Sequence, residues 1–124
     1  MRWLPAVLLG LVGIIHLLPV TGVLGASSLQ RLYGVALTDP NLLILMQHRA
    51  VLFAIVGGVL IASAFKSEWR PLAITVGLVS ITSFLLVAWS VGGYNALISR
   101  VVWVDVAALV MLGVAAMFAL TKRR

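Results

Sequence analysis

Residues 41–65 read NLLILMQHRAVLFAIVGGVLIASAF, and this stretch decides the fold. A helix rises ~1.5 Å per residue and about 20 apolar residues cross a ~30 Å hydrocarbon core, so the run is long enough to span a membrane. Gln47, His48 and Arg49 stand side by side about a third of the way along it. An ionised side chain at bilayer depth costs roughly 2.5–3.5 kcal/mol on insertion scales, so such a residue normally faces a partner, a cavity or a ligand. The stretch therefore reads as a transmembrane helix, and its three polar residues mark where the chemistry lies.

Working outward, apolar windows of similar length cover residues 3–24, 72–91 and 101–121. At 63% hydrophobic and 10% charged, the chain has too little polar surface for a soluble domain. Residues 1–124 read as a single four-helix transmembrane domain. The longest connection, 25–40, holds one short helix and leaves no room for a soluble catalytic domain. The fold class is an all-α membrane protein, a four-transmembrane-helix bundle with a short interfacial helix between spans 1 and 2.

The net charge is +6, but the basic residues collect at the ends of spans rather than in a patch, so nucleic acid is not the expected partner. Arg2, Lys66, Arg70, Lys122, Arg123 and Arg124 fall on one side and Arg31 and Arg100 at or near the other. By the positive-inside rule both termini are cytoplasmic. The first span, followed by Val23-Leu24-Gly25-Ala26, has features of a cleavable leader. It is long for one and carries Pro5, His16 and Pro19, so a retained helix is expected. With no cysteine, disulfides, thiol catalysis and thiolate metal sites are excluded.

Local signals refine the elements. Pro19 removes a backbone donor, so the end of the first span is kinked or locally unwound, with carbonyls free to accept hydrogen bonds. Ser27 or Ser28 as N-cap and Gly34 as C-cap bound the short helix; Asp39 caps the second span, with Pro40 at its first position. Gln47, Ala50, Ala54, Gly58 and Ala62 line one small-residue face for close helix approach. Residues 66–70 form a tight turn before Pro71, and residues 92–95 turn the chain before Arg100 opens the last span. Thr75, Thr82 and Trp89, like Ser83 and Ser90, recur seven apart. They face a neighbour or cavity, or their hydroxyls bond back to their own helix. Asp105, Ala108, Leu112, Ala115 and Ala119 share an inward face.

Depth follows from helical rise. His16 lies eight residues before Leu24 and His48 eight after Pro40, each roughly 12 Å below its helix end; Asp105, five past Arg100, is roughly 7 Å deep. Arg49 is long enough to bridge the difference. An Arg49–Asp105 ion pair is expected, because Asp105 is the only acidic residue inside a span and Arg49 the only arginine well inside one. Breaking a buried pair strands the other charge, typically at about 3–5 kcal/mol. Two histidines at equal depth also permit a shared metal or a haem axial pair, although only Asp105 and Gln47 offer themselves as further ligands. Hydrogen bonding, proton transfer or ligand contact suits them better, and no metal or cofactor is assigned. Phosphate-loop, paired-carboxylate and serine-nucleophile motifs are missing.

The segments Leu32-Tyr33-Gly34-Val35, Asp39-Pro40-Asn41 and Ile44 to Phe53, with His16-Leu17-Leu18-Pro19 and the Arg100 to Asp105 region, resemble a family of small uncharacterised bacterial four-span inner-membrane proteins. Some of its members carry a name implying phosphopantetheine adenylyltransferase activity. This sequence holds none of the nucleotide-binding residues such chemistry needs. In span number, loop lengths and an arginine early in the second span, the layout also resembles the DoxX-like group. The resemblance implies the fold and the bacterial inner membrane, with membrane lipids as neighbours.

Together these readings predict an outward-facing polar pocket built from His16, His48, Arg49 and Asp105, with Gln47 beside them and Tyr33, Trp89, Tyr94 and Asn95 near its mouth. Arg49 would hold an anionic or carbonyl group, Asp105 would orient Arg49, and the histidines would supply hydrogen bonds to a lipid or quinone-like molecule, in an accessory or binding role. One alternative is a membrane enzyme using His16 and His48 for proton transfer on a lipophilic substrate. The other is a structural or assembly subunit. The small-residue faces permit a homodimer or a place in a larger membrane complex.

Overall fold

Proline and glycine punctuate the chain much as their backbone chemistry dictates. The computed structural model describes residues 3–122, with side chains through residue 119; Arg2, Arg123 and Arg124 and the Lys122 side chain, used above for topology, lie outside the described set. Helix α1 (Leu4–Leu17) tightens into a 3-10 segment (Leu18–Leu24) where Pro19 interrupts it, as expected. Then follow α2 (Ala26–Tyr33), α3 (Pro40–Phe65), a 3-10 turn (Ser67–Trp69), α4 (Arg70–Val91) and α5 (Ala96–Lys122). The stretches Leu4–Leu24, Pro40–Phe65, Ser67–Val91 and Ala96–Ala119 are each long and apolar enough to cross a membrane. By helix length and hydropathy the chain is a multi-pass membrane protein.

The caps explain most boundaries. The Asp39 carboxylate accepts from the Asn41 backbone N–H at 2.9 Å and starts α3, and Gly34 ends α2 in the left-handed region at φ +69°. Two expectations shift. Helix α2 is capped by Gly25 rather than a serine, because the helix is already under way at Ala26; Ser28 instead accepts from the Arg31 guanidinium at 3.4 Å. Helix α5 begins at Ala96 rather than near Arg100, because the Asn95 side-chain oxygen accepts from the Ile98 N–H at 2.8 Å and caps it one turn earlier.

The long helices pack in the cyclic order α1, α3, α4, α5, each against two neighbours, so α3 and α5 face one another across the diagonal. The apolar core includes Leu9, Val12, Leu60, Ile81 and Leu112 and fills the half of the bundle away from α2. Ala108, Leu112 and Ala115 are fully buried, which confirms the inward face of α5. All four tryptophans, Trp3, Trp69, Trp89 and Trp103, point outward.

The tightest helix contact joins α1 to α3. A Cβ on Gly57 would lie 2.9 Å from the Gly13 carbonyl oxygen, and one on Gly13 would lie 3.0 Å from the Gly57 oxygen. Only hydrogen fits at either position. Gly58, assigned to this face from its spacing, instead points to open space with nothing within 4 Å of an added Cβ. The contact face thus runs through Ala50 and Gly57, a helical step of ~100° away. Gly57→Ala is expected to destabilise the bundle by about 1–3 kcal/mol through overpacking against backbone that cannot yield. Gly58→Ala should be neutral or slightly stabilising, since alanine is the better helix former. Thermal unfolding of the two variants in detergent, compared side by side, checks the assignment.

Candidate ligand cavity and the buried arginine

His16 emerges from α1 into the bundle interior and is buried. Its Nδ1 lies 3.0 Å from the Val12 carbonyl oxygen. A carbonyl can only accept, so Nδ1 carries the proton and Nε2 is left with a lone pair. The Ser80 hydroxyl of α4 donates to that lone pair at 3.2 Å. Both ring nitrogens are thereby occupied, and His16 ties α1 to α4 across the diagonal of the bundle. The Phe53 ring packs against the imidazole with centroids 5.9 Å apart.

Arg49 points inward from α3, but not to Asp105. Its Nη1 donates to the Tyr33 hydroxyl at 3.1 Å. Its guanidinium carbon stands 4.6 Å from the Phe53 ring centroid and 5.5 Å from those of Tyr33 and Phe84. The expected ion pair is therefore corrected: no salt bridge forms among the described residues. Arg49 on α3 and Asp105 on α5 stand on helices across the diagonal, and the Tyr33 hydroxyl of α2, with three rings, takes up the guanidinium instead. Aromatic faces, each a region of negative potential, surround the cation in the carboxylate's place.

A cavity of about 220 Å³ lies between α1, α2 and α5. Ile15, Phe53 and Val104 give it apolar walls; His16, Tyr33 and Asp105 bring polar groups to it, and Arg31 and Arg100 add two cations. Asp105 is half-buried and has no hydrogen-bond or ion-pair partner among the described residues. The Tyr33 hydroxyl, which accepts from Arg49, keeps its own proton to donate. The cavity thus offers an open acceptor and a donor within hydrocarbon-like walls, which suits an amphipathic guest.

The remaining predicted residues are distributed differently. His48 is exposed on the outer side of α3, because its neighbour Arg49 takes the inward direction and successive residues diverge by ~100°. His16 and His48 are not brought together, so this geometry does not assemble the shared metal or haem pair considered above. No group of three or more His, Asp or Glu side chains gathers among the described residues. Gln47 donates to the Val23 carbonyl at 2.8 Å and satisfies the unwound end of the first span. Asn95 donates to the Tyr33 carbonyl at 2.6 Å, fastening the α4–α5 turn to the end of α2. Trp89 and Tyr94 are exposed, and neither lines this cavity.

Several side chains here were not foreseen. Arg31 and Arg100 read only as topology signals, although both reach the cavity. Phe53 was legible in retrospect, since it lies four residues after Arg49 and so on the same helix face. Ser80 falls outside the seven-residue series noted in α4. Within that series Thr75 and Ser83 bond back to the carbonyls of Pro71 and Ser80, at 2.8 and 3.0 Å.

No protein-family model, curated protein or solved structure matches the chain.

These contacts separate two accounts of Arg49. A double-mutant cycle of Arg49→Met with Tyr33→Phe should give a coupling of about 1–2 kcal/mol, as for a hydrogen bond to a charged group. The cycle of Arg49→Met with Asp105→Asn should give a clearly smaller value. Equilibrium unfolding in mixed micelles measures both.

Proposed function

We propose that the chain is an inner-membrane protein whose cavity beside α2 binds a small lipophilic molecule, of lipid or quinone-like character, in an accessory or binding role. The observation that carries this reading is Asp105: a half-buried carboxylate with no partner among the described residues, facing a cavity whose walls are otherwise largely apolar. A carboxylate held at membrane depth is expensive without a partner. A guest with a hydroxyl or N–H group would satisfy it, while the Tyr33 hydroxyl would donate to a guest carbonyl or ether oxygen.

The distribution of charge supports an orientation. Arg31 and Arg100 share the α2 end, whereas Lys66 and Arg70 lie at the opposite α3–α4 turn, and in sequence Arg2, Lys122, Arg123 and Arg124 add to that second group by flanking the first and last spans. By the positive-inside rule this excess supports α2 and the cavity on the outer side and both termini in the cytoplasm. A site opening at the outer end of the bundle is accessible both from the membrane interface and from the lipid.

Native mass spectrometry of the full chain in mild detergent is expected to reveal a defined bound mass. Val104→Phe, which fills the cavity, should abolish it, and Asp105→Asn should weaken its retention. A bare chain, or an adduct that both variants hold as firmly as the parent, would remove the basis for this reading.

A further inference from the structure

The guanidinium of Arg49 also borders a second space. A cleft of about 310 Å³ separates α3 from α4, and its lining comes entirely from these two helices: Arg49, Leu52, Val56, Ser80, Ser83 and Val87 with two phenylalanines. Of the arginine's five N–H donors, one is matched to an acceptor among the described residues, the Tyr33 hydroxyl. No fully enclosed side-chain nitrogen or oxygen among the described residues lacks a partner. The unmatched guanidinium donors are therefore those that remain accessible. Leu52, Ser83 and Val87 at the cleft's edge are exposed, so the opening faces laterally, toward the lipid.

A cation with free donors at the bottom of an apolar, laterally open cleft has a specific chemical complement. An oxyanion would supply charge and acceptors, and a flexible chain would cover Leu52, Val56 and Val87. Aromatic rings neutralise the guanidinium only in part, because cation–π contacts leave its in-plane N–H groups unbound. Planar guanidinium recognises carboxylate and phosphate through paired hydrogen bonds, which strengthen in a low-dielectric site. A partner helix would have to bring its own backbone against the groove to reach Arg49, whereas a single hydrocarbon chain lies in the groove directly.

We propose that the α3–α4 cleft is a second binding site, in which Arg49 holds the oxyanion head, carboxylate or phosphate ester, of a single-chain lipid. The site is distinct from the cavity beside α2, which draws its lining from α1, the 3-10 segment, α2 and α5 with Phe53 as its one residue from α3; Phe53 stands in both linings as the partition between them.

Equilibrium binding of radiolabelled dodecanoate to the full chain in a neutral detergent tests this. Saturable binding is expected, weakened at least about tenfold in Arg49→Gln, as loss of a charge-assisted hydrogen bond predicts. Ser83→Leu, which narrows the cleft from α4 and leaves Arg49 and its aromatic neighbours unsubstituted, should weaken it similarly. That variant guards against misfolding of Arg49→Gln. Val104→Phe, which closes the other cavity, should leave dodecanoate binding intact, so the two sites can fail separately. Competition by dodecyl phosphate more strongly than by dodecanoate would assign a phosphate-ester source, and the reverse order a fatty acid. Equal binding of neutral dodecanol, unchanged binding in both cleft variants, or loss of binding in Val104→Phe would overturn the proposal. So would a chain that takes no dodecanoate yet retains a protein partner that Arg49→Gln releases.

Discussion

The backbone contact between Gly13 and Gly57 sets the positions of nearly everything else. With hydrogen in place of a side chain on both helices, α1 and α3 approach until each glycine sits against the other's carbonyl oxygen. That contact fixes the rotation of both helices. One turn after Gly13, His16 must point inward; on α3, Ala50 and Phe53 are turned toward α1, and Arg49 is carried to the side that meets α4. The polar layer is in this sense a consequence of an apolar contact two turns away. In a membrane, where lipid tails compete with side chains for apolar packing, such close approach of small residues is a principal source of helix association.

Around that seam the bundle settles its polar groups locally. The unwound end of the first span gives its Val23 carbonyl to Gln47, and Arg70 donates to the last carbonyls of α3, those of Ser63 and Ala64, at 3.1 and 3.3 Å. His16 is satisfied at both nitrogens. Backbone and side-chain groups that water would serve in a soluble protein must find partners within the fold here. Against this background Arg49 and Asp105 stand out. They carry opposite charge, lie in the same half of the bundle, and yet open into two different spaces on either side of Phe53.

The axial layout was legible from sequence and the azimuth was not. Span positions, the unwinding at Pro19, the Asp39 cap and the left-handed Gly34 all follow from residue chemistry that acts along the chain. The inward face of α5 was readable too, because Asp105 marks it. On α3 the residues are apolar nearly all round, so periodicity does not choose a face; Gly57 and Gly58 are equivalent until α1 is placed beside them. The same ambiguity separated His48 from Arg49. The two stand at nearly the same height along α3, but one helical step sends the histidine out and the arginine in. The Arg49–Asp105 pairing failed for a related reason, since charge and depth do not reveal that the Tyr33 hydroxyl and three rings surround the guanidinium.

The outward placement of all four tryptophans has an optical consequence. Trp89 and Trp103, 84% and 70% exposed, look away from the bundle, and neither the cavity beside α2 nor the α3–α4 cleft has an indole in its lining. The emission of these two indoles therefore answers to the surroundings of the bundle rather than to its interior. Its colour and its quenching by brominated acyl chains report how deeply the helices are immersed, and they stay nearly silent when a guest enters either internal space. An indole introduced into one wall would be a reporter against a background that the native residues already hold constant.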